Sequence, residues 1–77
     1  MEEFIKHFSD QFDDTDLDMF TPELVFHDLE EWSSLIGLAI LNMIAKKYKV
    51  KVSPDELKKA VTIQDIWELM EAKSDNN

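Results

Sequence analysis

Aromatic residues near the N-terminus recur at helical spacing. Phe4, Phe8 and Phe12 stand at i, i+4 and i+8, with Ile5 beside them. Side chains four residues apart lie on one face of an α-helix, so this pattern predicts a helix over roughly residues 2–12. We expect the shared face of three rings to be part of the core.

For the next segment, from Asp13 to Trp32, we predict a long connecting loop that holds at most a short turn of helix. Its apolar side chains should tie it to the rest of the domain; they are Leu17, Phe20, Leu24, Val25, Phe26 and Leu29. Because a loop of this length is unusual in a small domain, it is often functional.

Aspartates in this loop have the spacing of a calcium site at Asp14, Asp16 and Asp18. That pattern then requires a glycine where Met19 stands and a bidentate acid where Val25 stands. The calcium interpretation therefore fails, and we expect no metal site.

A second helix is predicted from Ser33 or Ser34 to about Tyr48. Its inner strip is apolar and consists of Gly37, Leu41, Ile44 and Tyr48, flanked by Ile40 and Met43. The opposite strip becomes polar only in its second half; it consists of Leu35, Ala39, Asn42, Lys46 and Lys49. We therefore expect Leu35, Leu38 and Ala39 to lie exposed or half-exposed beside the serines, unless the long loop folds over them.

Two further helices follow. Ser53-Pro54-Asp55-Glu56 is a capping box with proline at the first helical position, which predicts a short helix to about Ala60. Thr62 is expected to cap a last helix from Ile63 to about Ala72, and residues 73–77 to form a frayed tail. The prediction is a single all-α domain over residues 1–77, a four-helix bundle with three longer helices and a short third one.

The composition supports a small helical domain. One glycine, two prolines, no cysteine and 44% hydrophobic residues favour helices stabilised by a single apolar core. A chain this short buries roughly 60% of its unfolded surface, which is too little for a deep enzyme cleft. We expect no catalytic residues and no enzymatic activity. The N-terminus does not resemble a signal peptide and no apolar run could span a membrane, which predicts a cytoplasmic protein.

Charge is distributed unevenly along the chain. Residues 1–31 carry eleven acids against one lysine, residues 32–52 carry four lysines and no acid, and the overall net charge is −9. Nucleic acid and anionic membranes would be repelled by most of this surface, whereas a basic protein partner would be attracted. The alternative is that the acids only keep the domain soluble.

The adjacent Ser33 and Ser34 start the second helix, and serine is a preferred N-cap. A serine nucleophile needs a positioned base, for which His7 and His27 are the two candidates, and a Gly-x-Ser-x-Gly turn is absent. Hydrolase chemistry is therefore disfavoured.

A family resemblance begins at the segment Asp28-Leu29-Glu30-Glu31-Trp32-Ser33-Ser34-Leu35. It resembles the sequence that leads into the modification site of acyl carrier proteins. In that family the site itself typically reads Asp-Ser-Leu. The likeness continues through Ile44, Tyr48 and Val50 to Ser53-Pro54-Asp55. It ends at Val61-Thr62-Ile63-Gln64-Asp65-Ile66, which is similar to the opening of the family's last helix.

The resemblance implies that Ser34 carries a 4′-phosphopantetheine arm, which a phosphopantetheinyl transferase attaches. The arm's thiol would hold acyl groups as thioesters for acyl-transferring or acyl-activating enzymes of fatty-acid-like or specialised acyl biosynthesis. The carrier is expected to be a monomer. Docking would use Leu35 and Leu38 with the acids Asp28, Glu30 and Glu31. An acyl chain would be sheltered by candidates between the helices, namely Ile40, Met43, Ile44, Ala60 and Ile63; a plain core lining is the alternative role for these residues.

Two departures from the family's pattern leave alternatives open. Ser33 stands where the family has aspartate. The second helix has no acid: Ile36 and Ala39 stand where fatty-acid-type carriers usually carry acids, and lysines cluster at the end of the helix. The alternatives are a carrier of aminoacyl or polyketide units, an unmodified acidic interaction module in which the serines are only a cap, and an acidic mimic that competes for a basic partner.

Overall fold

The computed structural model describes residues 1–74, which form four α-helices. The helices are α1 (Glu2–Ser9), α2 (Ser34–Tyr48), α3 (Pro54–Lys59) and α4 (Ile63–Ser74). Two short 3₁₀ turns, Leu17–Met19 and Phe26–Asp28, lie in the long loop between α1 and α2. The described part of the chain holds no strand, so the predicted all-α bundle with a short third helix is confirmed at that level.

Side-chain caps fix where the last three helices begin. The Ser33 Oγ accepts the N–H of Ile36 at 3.3 Å. Ser53 and Glu56 form the full capping box, in which each side chain accepts the other residue's backbone N–H. Thr62 Oγ1 accepts the N–H of Asp65 at 3.2 Å. The predicted starts of these helices are confirmed because they depend on bonds within four residues of sequence.

The end of α1 was predicted three residues too late. The helix stops at Ser9, whose hydroxyl donates to the carbonyl of Lys6 at 2.8 Å. The chain then tightens into i→i+3 bonds, from Gln11 N–H to Phe8 and from Phe12 N–H to Ser9. Phe12 is still buried, so the aromatic stripe predicted burial correctly although its last residue lies outside the helix.

All five phenylalanines of the chain lie in one core. Phe8 is at its centre, with ring centroids 5.6–6.1 Å from those of Phe4, Phe12, Phe20 and Phe26. The rings of the loop residues Phe20 and Phe26 thus pack directly on α1, which anchors the loop to the bundle.

One predicted anchor of the loop was wrong. Leu17 is 57% exposed, together with Met19 in the same 3₁₀ turn. All three residues of this turn are exposed, and Phe20, which follows the turn, packs against Phe12 with ring centroids 5.1 Å apart. The other five predicted anchors are buried or half-buried.

The loop is also joined to the start of α4 by backbone bonds. Val25 and Thr62 form an isolated antiparallel bridge, and the N–H of Gln64 donates to the carbonyl of Pro22 at 2.9 Å. These contacts close the chain between residues 25 and 62, a segment that contains α2 and α3.

Helix α4 continues beyond its predicted end to Ser74. Lys73 is helical and its Nζ lies 2.9 Å from Glu56 Oε2 of α3, so the predicted frayed tail starts too early at residue 73. The rest of that predicted tail, residues 75–77, lies outside the described residues. None of the described helices has the length and apolar character needed to cross a membrane.

Candidate functional site

The two serines at the start of α2 occupy different positions. Ser33 is the N-cap, with an extended backbone and a carbonyl that accepts the first helical bond from Gly37 at 3.0 Å. Ser34 is the first helical residue and is exposed. Among residues 1–74, the backbone N–H groups of Ser34 and Leu35 have no acceptor. Ser34 therefore presents a free hydroxyl next to two free N–H donors.

A cavity of about 390 Å³ opens beside Ser34 between α2 and α3. Its floor is mostly apolar and it is open to solvent on one side. The lining residues are His27, Trp32, Ser34, Gly37, Leu38, Leu41, Pro54, Asp55, Leu57 and Lys58. Ser34 thus lies at the mouth of this groove. The volume of the groove is near the lower end of the range that is typical of small-molecule sites.

The chain's single glycine forms part of the cavity wall. A Cβ at Gly37 would lie 3.5 Å from Leu57 Cδ2 and 3.6 Å from Trp32 Cζ2, which is ordinary contact distance. The missing methyl group therefore leaves space between these two side chains. A glycine in the middle of an otherwise regular helix costs stability, and this one keeps the groove open.

His27 fixes one side of the groove. Its ring lies 4.3 Å from Phe26 and 4.9 Å from Trp32, and its Nε2 is 3.1 Å from the carbonyl oxygen of Ala60. Because a carbonyl can only accept, Nε2 carries the hydrogen of this bond. This nitrogen is therefore occupied by the end of α3 and does not accept a proton from Ser34.

The acyl-pocket candidates named from the sequence lie deeper than this groove. Ile40, Ile44 and Ile63 are fully buried and Met43 is nearly so, while Ala60 is half-buried against the core. None of the five lines the cavity beside Ser34. The residues that do line it, such as Trp32 and Leu57, were missed; the one sequence signal for them was the lone mid-helix glycine.

The apolar docking candidates are exposed as predicted. Leu35 is 79% exposed and Leu38 is 54% exposed, so the long loop does not fold over them. Ala39 is half-buried, and the acids Asp28 and Glu30 point to solvent.

Glu31, the third acidic candidate, is bound within the protein. Its carboxylate accepts the N–H groups of Asp13 and Asp14 and the hydroxyl of Thr15. Desolvation alone would raise the pKa of Glu31, but these hydrogen bonds together outweigh it and hold the pKa below its ordinary value. The carboxylate therefore braces the start of the long loop, and Asp28 and Glu30 are left as the solvent-facing acids before α2.

Comparison with known protein families, with curated proteins and with solved structures found no match.

Proposed function

We propose that this chain is an acyl carrier protein with an acyl-carrier-type bundle, and that it holds acyl groups on a 4′-phosphopantetheine arm attached to Ser34. The observation that carries the proposal is the placement of Ser34. The serine that the sequence motif singles out is exposed, is not used as the cap, and stands at the mouth of the groove between α2 and α3.

The residues around Ser34 fit a phosphodiester. The free N–H groups of Ser34 and Leu35 and the positive end of the α2 dipole favour a negatively charged group at this position. The first turn of α2 contains no acid that would repel it. Ser33 completes the cap, so Ser34 Oγ is not needed for the helix. Once attached, the arm supplies a terminal thiol that carries acyl groups as thioesters.

The groove beside Ser34 provides shelter for part of an acyl chain. Trp32, Leu41 and Leu57 give it apolar walls, while its open side allows the chain to leave again for a partner enzyme. This proposal moves the acyl site from the buried residues named by sequence reasoning to the space between α2 and α3, because those residues already fill the core.

The proposed role defines the partners. They are a phosphopantetheinyl transferase and enzymes that load or remove acyl groups; the chain itself catalyses no step and acts as a monomer. A cytoplasmic location, beside the coenzyme A pool, is part of the proposal, whereas binding to nucleic acid or to a membrane is not.

Incubation with coenzyme A and a broad-specificity phosphopantetheinyl transferase tests the attachment site. Intact and peptide masses should show one phosphopantetheine group on Ser34. The adduct should be absent in Ser34→Ala and present in the matched control Ser33→Ala, which keeps the target hydroxyl. Ser33→Asp restores the family's acid and should raise the rate of modification.

The same experiment decides between the carrier and its main rival. If several transferases give no adduct on the wild-type chain or on Ser33→Asp, the carrier role is wrong and the domain is an unmodified interaction module. If the adduct forms, loading it with fatty acyl, aminoacyl and polyketide units and comparing the rates identifies the cargo class.

A further inference from the structure

An exposed stripe runs along the whole length of α2. We call it the α2 stripe; it consists of Leu35, Leu38, Asn42, Ala45 and Lys49, with Lys46 beside it. The four residues within α2 follow one another at intervals of three and four, so they share one face of the helix. Lys49 is the C-cap and lines a hollow with Asn42 and Ala45, and all residues of the stripe are exposed. The stripe begins next to Ser34 and ends where α2 ends.

The two ends of the α2 stripe differ in chemistry. The first end presents the exposed leucines Leu35 and Leu38. The other end presents Lys46 and Lys49, and their neighbours Lys47 and Lys51 are exposed as well. Neither ion pair found among residues 1–74 involves any of these four lysines. The charge at this end is therefore available to a partner.

The middle of the stripe is shaped to receive a partner's side chains. Asn42 and Ala45 are short, and they form a shallow hollow together with Lys46 and Lys49. A second hollow adjoins it and is lined by Gln11, from the turn after α1, and by Lys47. A carboxylate that entered either hollow would contact lysine ammonium groups from more than one side.

We propose that the α2 stripe docks onto an acidic surface of a partner protein. That surface offers an apolar pocket to Leu35 and Leu38, and carboxylates to Lys46 and Lys49 about 16 Å further along the helix, from eleven residues of helical rise. If the partner is an enzyme that handles the arm on Ser34, that identification rests on the proposed function. The chemistry of docking is independent of the proposed function.

The charge distribution favours a compact protein surface over a long polyanion. Outside residues 32–52, the chain carries net charges of −10 in residues 1–31 and −3 in residues 53–77. A nucleic acid or an anionic membrane would extend past the lysines and meet these acids. A local acidic patch can meet the lysine end without covering the rest of the acidic surface, and charges beyond about 10 Å are largely screened at 0.1 M salt. The leucine end of the stripe adds apolar contact that a nucleic acid would not use.

A designed peptide tests the proposal without knowledge of the natural partner. The probe is an amphipathic helix with two leucines at one end and four glutamates at the other, and the matched control peptide has lysines in place of the glutamates. The unmodified ¹⁵N-labelled chain is titrated with each peptide, and amide shifts and dissociation constants are measured. The glutamate peptide should perturb the amides of residues 35–49 and bind more tightly than the lysine peptide.

Charge-reversal variants identify the contact. Lys46→Glu with Lys49→Glu should weaken binding of the glutamate peptide by roughly three- to tenfold at low salt. The control Lys6→Glu with Lys59→Glu changes the net charge by the same amount at exposed positions off the stripe. The dissociation constant of the glutamate peptide should stay within about twofold of the wild-type value. Circular dichroism checks that both variants fold, and Lys46→Gln with Lys49→Gln replaces the first variant if its helix content falls.

Three outcomes would overturn the proposal: equal binding of the two peptides, shifts that map off the α2 stripe, or equal weakening by the two double variants. A dimer that sedimentation detects and that the Lys46→Glu, Lys49→Glu variant abolishes would also overturn it, because the stripe would then be a contact between two copies of the chain. Since the titration does not involve Ser34 modification, its result is independent of the transferase experiment, and either proposal can fail alone.

Discussion

Ser33 and Ser34 are adjacent, yet at the scale of single residues they contribute differently to stability. Ser33→Ala removes the acceptor of the Ile36 N–H and should lower the free energy of unfolding by about 1 kcal/mol. Ser33→Asp keeps the cap and adds a negative charge at the positive end of α2. This charge should raise the free energy of unfolding by about 0.3–1 kcal/mol. Urea unfolding measures both changes. Ser34→Ala is the control and should stay within about 0.5 kcal/mol of wild type, because it removes no cap.

Gly37 links stability to the groove. Gly37→Ala places a methyl group at contact distance from Leu57 and Trp32, so it should stabilise the chain by about 0.5–1 kcal/mol while narrowing the cavity. Ala45→Gly, on the exposed face of the same helix, should lower the free energy of unfolding by a similar amount and leave the cavity unchanged. If the groove shelters acyl chains, Gly37→Ala should also reduce the extra thermal stability that a long acyl group gives to the modified chain. A destabilised Gly37→Ala would show that the wall cannot accommodate the methyl group.

At the scale of structural elements, one carboxylate, that of Glu31, holds the start of the long loop in place. Glu31→Gln weakens the acceptor for the N–H groups of Asp13 and Asp14, so these two amides should exchange with solvent several-fold faster. Hydrogen exchange followed by NMR measures the rates. Glu30→Gln alters the neighbouring acid, which is exposed, and should leave both amides unchanged. Equal rates in the two variants would mean that the brace does not hold the loop.

Glu56 in the first turn of α3 and Asp65 in the first turn of α4 have lowered pKa values. The N–H of Ser53 and the ammonium of Lys73 hold the pKa of Glu56 below its ordinary value of 4.5. The N–H groups of Thr62 and Val61 do the same for Asp65, ordinarily at 3.8. A lowered folded-state pKa contributes stability above the ordinary value, and this stability is lost as the pH falls through the lowered one. The free energy of unfolding should therefore fall in acid from about pH 4.5 downward.

Glu56→Gln with Asp65→Asn tests this pH dependence. The double variant should be less stable at pH 7, and its stability should decline less steeply with acid, because two of the responsible carboxyls are gone. Urea unfolding at pH values from 7 to 3 gives both slopes. Asp55→Asn with Glu68→Gln has the same change of charge at exposed positions on the same helices and serves as the control. Parallel slopes in the wild type and the double variant would contradict the assignment.

The sequence predicted the elements whose causes are local. The starts of α2, α3 and α4 follow from caps that join residues three apart, and the aromatic stripe predicted which face of α1 is buried. The sequence did not predict the bond from His27 to Ala60, the brace from Glu31 to Asp13, or the cavity lining. Each of these joins residues that are distant in sequence, so it depends on how the helices pack. The prediction that Ile40, Met43, Ile44, Ala60 and Ile63 shelter an acyl chain stays a prediction.

Stability at the scale of the whole molecule depends on the phenylalanine core. Phe8 contacts four other rings, and Phe8→Ala should cost about 3–5 kcal/mol, a large share of the roughly 5–15 kcal/mol available to a domain. We expect this variant to be largely unfolded at 37 °C. Leu17→Ala, at an exposed position in the loop, should change stability by about 0.5 kcal/mol or less. Tryptophan fluorescence during urea unfolding measures both, and a stable Phe8→Ala would contradict a single shared core.

The bridge between Val25 and Thr62 also determines how the chain can move. It joins the two ends of a segment that includes both walls of the groove, and the bonds from Gln64 to Pro22 and from His27 to Ala60 secure the same junction. With its ends joined, this segment is topologically a closed ring. Inside the ring, α2 and α3 are connected by residues 49–53, which include the left-handed Lys49 and the buried Val50 and Val52. Because the far end of α3 is held to His27 and to the long loop, α3 does not swing away from α2 unless these bonds break, so closure of the ring limits how far the groove can open.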